Sequence, residues 1–240
     1  MTPAGSYRHD PRRWSFLVPA AGSGDRLGRG PKCLLPLGGE ALWQRAVRRA
    51  REFAGQVLLA VPEACVADIR RADPACVVMA GGDSRQESVA RLLAAATGDR
   101  ILIHDVARPF GSRRLLHEVA ALGERTGAAG CLEAFDSPVA RARDGGLAGL
   151  LALADAGQVR SPLAFHRAVL EEAHRRAREA GLVARSTVEL VVRAGLPFEF
   201  AASQPDNIKI TNADGYRLAQ LLVAAWDEAQ ARSADPGGRP

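Results

Sequence analysis

The sequence predicts an α/β domain built on a largely parallel sheet. Short apolar runs alternate with amphipathic helical stretches from Trp14 to about Ala229, the pattern of strands joined by helical crossovers. Polar or glycine-rich turns follow three of those runs, at Gly22 to Lys32, Gly81 to Ser88 and His104 to Pro109. In open α/β sheets ligands sit outside the carboxyl ends of the strands, which is where all three turns fall.

Trp14 to Val18 reads as the first strand. The stretch after it, up to Lys32, holds glycines at 22, 24, 28 and 30, together with Arg26 and Lys32. Glycines let the backbone turn sharply and bring its N–H groups close to a ligand. N–H groups around one concavity, with cations beside them, suit phosphate oxygens. The stretch is not a P-loop, because Pro31 precedes Lys32 and Cys33 follows it. It is not the dinucleotide fingerprint, because Leu27 stands at the third glycine position. Alone it reads equally well as a surface loop.

Glu40 to Phe53 has helical apolar spacing, Val57 to Val61 is a second strand, and Ala64 to Ala72 is a short helix. Cys76 to Ala80 is a third strand running into Gly81-Gly82. There Ser84-x-x-Glu87 forms a capping box for the next helix. Ile101 to Ile103 is a fourth strand. Asp105 and Arg108 just beyond it suit a metal–phosphate site, since Asp offers hard oxygens to Mg²⁺ and Arg binds phosphate. An ion pair at a helix entry is the alternative. A helix over Arg113 to Arg125 and a fifth strand over Ala128 to Ala134 follow.

Phe135 to Leu163 breaks the rhythm. Asp144-Gly145 signals a hairpin turn, so the segment reads as an arm of two short strands or as an irregular excursion. A helix is expected from Pro162 to Ala180, with Gly181 closing it. Ser186 to Ala194 is a short helix and Phe198 to Ala202 a strand. Thr211-x-x-Asp214 is expected to cap the last helix. The whole forms one domain over 14–229, with 1–13 and 230–240 expected as flexible tails.

The chain has 240 residues, 47% hydrophobic and 25% charged, enough for a full core. No apolar run reaches the ~20 residues that span a bilayer. The polar start, Met1 to Arg13, lacks the apolar segment of a signal peptide. Four cysteines without C-x-x-C spacing are expected as free thiols in a reducing cytoplasm. The five histidines show no metal-ligand spacing. The net charge of +5 admits nucleic-acid binding. The basic residues, however, are mixed with acids along helices and aromatics are few, so a polyanionic small molecule is the better partner.

Of the 32 basic residues only Lys32 and Lys209 are lysines, and the only asparagines are Asn207 and Asn212. A chain that places Arg almost everywhere marks its lysines as sites needing a compact point charge. That singles out Lys32 and Asn207-Ile-Lys209-Ile-Thr211.

The motif order Ala-Ala-Gly-x-Gly-x-Arg-Leu-Gly…Pro-Lys, then Gly-Gly…Arg…Ser-Val, then His-Asp-x-Ala-Arg-Pro, then Asn-Ile-Lys-Ile-Thr resembles the 2-C-methyl-D-erythritol 4-phosphate cytidylyltransferases of isoprenoid biosynthesis, over about Phe16 to Leu222. The resemblance implies a Rossmann-like nucleotidyltransferase fold with a small β-arm, about 135–163, that completes a homodimer. It implies transfer of CMP from CTP to a sugar-alcohol phosphate, with Mg²⁺ and release of pyrophosphate. By position, Arg26 and Lys32 would stabilise charge on the α-phosphate, and Lys209 would hold phosphates near the acceptor. Ala20, Ala21, Gly22 and Gly24 would cradle the nucleotide, with Gly82, Asp83 and Ser88 on cytosine and ribose. Asp105 would hold the metal, with Ala107 beside the nucleotide and Arg108 at the acceptor.

The second half departs from the family pattern. Ser137-Pro138-Val139-Ala140-Arg141 replaces an Asp-Thr pair followed by a cation. Leu150-Leu-Ala-Leu153, Arg160-Ser161-Pro162-Leu163 and Arg185-Ser186-Thr187 stand where other acceptor motifs belong. Loss of hydroxyl partners costs a polyol binding. The acceptor is therefore open between the methylerythritol phosphate and another phosphate or phosphonate. Arg141, Arg143, Arg160 and Arg185 are candidate contacts. A non-catalytic nucleotide-binding module is the remaining reading.

Overall fold

The computed structural model describes residues 7–22, 24, 27–137, 139–153 and 156–234, without the side chains of Arg141, Ser233 and Ala234. In chain order the elements are β1 (Trp14–Pro19), β2 (Pro36–Leu37), β3 (Glu40–Ala41), α1 (Leu42–Arg51), β4 (Gln56–Val61), α2 (Glu63–Ala72), β5 (Val77–Ala80), α3 (Arg85–Ala95) and β6 (Arg100–Ile103). There follow α4 (Arg113–Thr126), β7 (Ala128–Ala134), β8 (Val139–Arg143), β9 (Gly146–Leu151), β10 (Gly157–His166), α5 (Arg167–Glu179), α6 (Thr187–Arg193), β11 (Glu199–Ala202) and α7 (Ala213–Ala234).

Seven strands form one sheet in the order β11-β7-β10-β6-β1-β4-β5. All neighbours are parallel except β10, which runs antiparallel to both β6 and β7. The chain leaves β1 for β4 and β5 on one side, then returns to β6 on the other. The crevice between β1 and β6 is thus the switch point, the place where an α/β sheet opens for a ligand.

Both faces of the sheet are covered, as β1 shows within a few residues. Trp14, Phe16 and Val18 pack with α1, α4 and α7 through Val47, Leu116 and Tyr216. Leu17 faces the opposite way, into a core shared with α3, α5 and α6 through Leu92, Leu170 and Val188. Alternation of side chains along a strand sends its apolar residues into two cores, one under each helical layer. Arg45 of α1, 3% exposed, donates two hydrogen bonds to Asp227 of α7, at 2.6 and 2.8 Å, and fixes these helices to each other.

Several boundaries differ from the sequence expectation. The helix expected from Pro162 starts at Arg167, because Gly157–His166 is a central strand. Its alternate residues fill the gap between β6 and β7, so burial overrides the helical pattern. Only β8 and β9 stand apart as an arm. Their turn places Asp144 at φ 49° and Gly145 at φ 79°, the left-handed pair that a tight hairpin requires. The last helix is capped by Asn212, whose Oδ1 accepts from the Gly215 N–H at 2.9 Å, rather than by Thr211. The expected tail over 1–13 is packed from Tyr7 onward: His9 Nε2–H donates to the Phe53 carbonyl at 2.6 Å and Arg13 pairs with Asp99 at 2.7 Å. At the other end α7 continues to Ala234, and the rest of the expected tail lies outside the described residues. No helix of the described residues is long and apolar enough to cross a membrane.

The four cysteines are buried free thiols, and burial pushes Cys33 and Cys76 up to about 12. Three histidines carry a pH consequence. Burial pulls His104, His117 and His174 down to about 4. His104 donates Nε2–H to the Arg108 carbonyl at 2.9 Å, while its buried Nδ1 has no acceptor for a second proton. The unfolded chain takes up these protons near pH 6.5 and the folded chain does not, so stability is full above that pH and falls towards pH 4. Urea unfolding at pH 7 and pH 5 should differ by about 2–4 kcal/mol in favour of pH 7, and His104→Gln should reduce that difference.

Candidate active site

The three motif turns meet at the carboxyl ends of β1, β5 and β6 around a cavity of about 320 Å³. Ala20, Ala21, Gly22 and Lys32 line it from the first turn. Gly82, Asp83 and Ser88 line it from the second, and Asp105 and Ala107 from the third. Lys209 closes it from the segment before α7. A larger cavity, about 1100 Å³, lies beside α1, α4 and α7 and contains none of these residues.

Two glycines explain why the turns come so close. Gly24 has φ 80°, and a Cβ on it would lie 2.1 Å from the Gly30 carbonyl oxygen, so any other residue there would prise the first turn apart. A Cβ on Gly81 would lie 2.2 Å from the Ala21 Cβ, so this glycine lets the first and second turns touch. Gly81→Ala should separate them and lower kcat/KM roughly 10- to 100-fold, with unfolding midpoints showing whether the fold survives.

Ser88 sets the second turn. Its Oγ accepts from the Gly82 N–H at 3.0 Å and donates to the Ser84 carbonyl at 2.9 Å. Ser84 in turn caps α3 by accepting from the Glu87 N–H. Glu87 accepts from the Asp83 N–H at 2.9 Å instead of closing the box on Ser84.

Asp105 is the electrostatic centre. Lys209 Nζ donates to its Oδ2 at 2.8 Å, and Arg85 Nη1 lies 2.8 Å from Oδ1, placed off the hydrogen-bonding direction so that Oδ1 has no hydrogen-bond partner. Burial alone would raise this carboxyl. Arg85, Lys209 and Arg108 override it and hold the group well below the ordinary carboxylate range. Asp105 is therefore a permanent anion among cations. Lys32 Nζ donates to the carbonyl of Ile210, the residue after Lys209, at 3.3 Å. The chain's two lysines thus come together in one cavity.

Arg108, expected at the acceptor, lies behind the cavity wall. It is 7% exposed, and its Nη1 donates to the Asn207 carbonyl at 2.7 Å. Arg160 donates to the same oxygen at 3.0 Å and pairs with Glu133, so it is occupied internally rather than offered to an acceptor. Asn207, fully buried, donates Nδ2–H to the Ser161 carbonyl at 2.8 Å, while Ser161 Oγ accepts from the Asp105 N–H at 3.1 Å. This inner shell positions Asp105 and Lys209. Arg143 and Arg185 are exposed. Arg26, expected as a transition-state cation, and the side chain of Arg141 lie outside the described residues.

Arg85 is the site residue that sequence reasoning passed over. It sits in the quoted second turn, but only the fold turns this cation at the start of α3 towards the Asp105 strand end. Asp136 and Ser137, whose Oγ donates to it at 3.1 Å, form an exposed polar pair where β7 ends and the arm begins.

Cations gathered on a glycine-lined crevice, with one fixed carboxylate at the switch point of a parallel sheet, define a nucleotidyltransferase. The family model of 2-C-methyl-D-erythritol 4-phosphate cytidylyltransferase matches residues 15–225. The chain belongs to that family. It is 38% identical over 218 residues to the 2-C-methyl-D-erythritol 4-phosphate cytidylyltransferase of Thermus thermophilus, covering 88% of this chain and 98% of the relative. It is 34% identical to the enzyme of that name from Deinococcus radiodurans, covering 90% and 91%. A crystal structure of the Thermus thermophilus enzyme superposes with a TM-score of 0.76, at 34% identity, over 88% of this chain and 98% of that one.

Proposed function

We propose that this chain transfers CMP from CTP to 2-C-methyl-D-erythritol 4-phosphate and releases pyrophosphate. One observation carries the reading: the chain's two lysines, remote in sequence, share with Asp105 a crevice in which Gly81 lets the first two motif turns touch. An oxygen of the acceptor phosphate attacks the α-phosphorus of CTP. A phosphoanhydride bond forms as the bond to the leaving pyrophosphate breaks. The attacking group is already an anion, so no side chain has to remove a proton. The protein's work is alignment and neutralisation of charge. Lys32 and Lys209 supply that charge from two sides, with Arg26 carried over from the family pattern as a third cation.

Asp105 fits Mg²⁺ as a single protein ligand. Its Oδ1 accepts no hydrogen bond, so a metal there would take the place that Arg85 Nη1 now holds 2.8 Å away, and no trio of His, Cys, Asp or Glu suited to a metal occurs among the described residues. Mg²⁺ commonly takes one or two carboxylates and completes its shell with phosphate oxygens and water. Bound there, it would offset charge on the triphosphate. The arm supports a homodimer: Leu147 is 72% and Leu150 64% exposed, an apolar strip that a second copy would cover. Buried free thiols agree with a reducing cytoplasm.

The deciding assay is pyrophosphate release from CTP and Mg²⁺ with methylerythritol phosphate, set against other polyol phosphates and a phosphonate. Faster turnover with one of the other acceptors would replace the proposed substrate, and release with none of them would remove the transferase reading.

A further inference from the structure

Gly82 and Asp83 of the second turn line the catalytic crevice, and both of their backbone N–H groups are already spent. The Gly82 N–H donates to Ser88 Oγ at 3.0 Å, and the Asp83 N–H donates to Glu87 Oε2 at 2.9 Å. The Gly81 carbonyl accepts from Arg91 Nη1 at 2.9 Å. By contrast, the carbonyls of Gly82 and Asp83 accept no hydrogen bond among the described residues. The backbone of these two residues therefore keeps acceptors for a ligand and no donors.

Glu87 is the part of this arrangement that lies outside the crevice, whose lining it does not join. Its other oxygen, Oε1, accepts from Arg91 Nη2, so each carboxylate oxygen holds one donor. Arg91 first, and the Asp83 N–H second, hold the carboxyl below its ordinary range. An ionised carboxylate accepts hydrogen bonds and donates none. The contact is close: a Cβ on Gly82 would lie 2.4 Å from Glu87 Cδ, so the turn rests directly on the side chain that binds it. Ser84 Oγ accepts from the Glu87 N–H at 3.0 Å and fixes the residue at the start of α3.

We infer that Glu87 is a specificity-determining residue: from behind the second turn it takes up the Asp83 N–H, leaves the turn an edge of acceptors, and so selects cytosine over uracil. Cytosine N4 carries two hydrogens to donate to such an edge. Uracil has the O4 acceptor in the same place and would set acceptor against acceptor. This selection rests on the CTP reading proposed above and assigns the choice of base to a residue outside the crevice. Glu87 acts through Asp83 and is a positioning residue.

The test is calorimetric titration of the intact chain, Glu87→Ala and Glu87→Gln with CTP and separately with UTP, each with Mg²⁺ and without acceptor. Urea unfolding of the same preparations reports the fold. Glu87→Ala returns the Asp83 N–H to the turn as a free donor. The ratio of the UTP to the CTP dissociation constant should then fall roughly five- to tenfold, the worth of one hydrogen bond. Glu87→Gln keeps an oxygen for the Asp83 N–H and loses only the charge towards Arg91, so it should retain most of that ratio. A merely structural role would weaken both nucleotides together and leave the ratio alone. An unchanged ratio in Glu87→Ala, or an equal fall in both variants, overturns the inference, and a CTP preference in the intact chain then leaves the transferase reading standing. An intact chain that binds UTP as tightly as CTP overturns this selection and the CTP reading together.

Discussion

Lys32→Ala is expected to lower kcat by about 10²- to 10³-fold, the usual cost of removing one preorganised charge from a transition state. The side chain lines the crevice at the end of the glycine turn, and its contact with the Ile210 carbonyl is long and only part-buried. Its removal should lower turnover far more than it lowers the unfolding midpoint. Lys32→Arg should not rescue fully, because a planar guanidinium does not replace a compact ammonium in a narrow turn. Steady-state pyrophosphate release, with urea unfolding on the same preparations, separates the two effects. Near-normal turnover in Lys32→Ala would take away the basis of the proposed mechanism.

Asp105→Asn should be the second large loss, and it should differ in kind. Here a permanent anion is replaced by a neutral amide of the same shape, leaving Lys209 and Arg85 without their counter-charge. Removal of one partner from a buried pair costs about 3–5 kcal/mol. Lys209 is 41% exposed and Arg85 30%, so water screens much of that and about 1–3 kcal/mol is the expected loss of stability. Turnover should fall as well, and the Mg²⁺ concentration for half-maximal rate should rise if Asp105 is the metal ligand. Urea unfolding and a Mg²⁺ titration of the rate read the two parts separately. An unchanged Mg²⁺ dependence would assign Asp105 a positioning role through Lys209 alone.

The parts of the site that could be read from sequence were those encoded by backbone chemistry or scarcity. Glycines that permit tight turns mark themselves, and two lysines among 32 basic residues stand out without any structure. Arg85 and Asn207 were harder. An arginine is common in this chain, and nothing local distinguishes Arg85, which ends against Asp105, from Arg91, which ends on Glu87. Arg108 and Arg160 show the converse: their position suggested ligand contacts, yet both spend donors on the Asn207 carbonyl.

The sequence by itself determined the alternation of strands and helices, the hairpin at Asp144-Gly145, the glycine-rich character of the first turn and the family pattern, because each is set by neighbours a few residues apart. Tertiary structure alone decided that Gly157–His166 is a central antiparallel strand, that Tyr7 to Arg13 packs on the body, and that Lys32, Asp105 and Lys209 share one crevice. Those outcomes depend on which surfaces meet across the sheet. Burial against β6 and β7, and the pairing of charges brought together from distant parts of the chain, are energies that no local pattern contains.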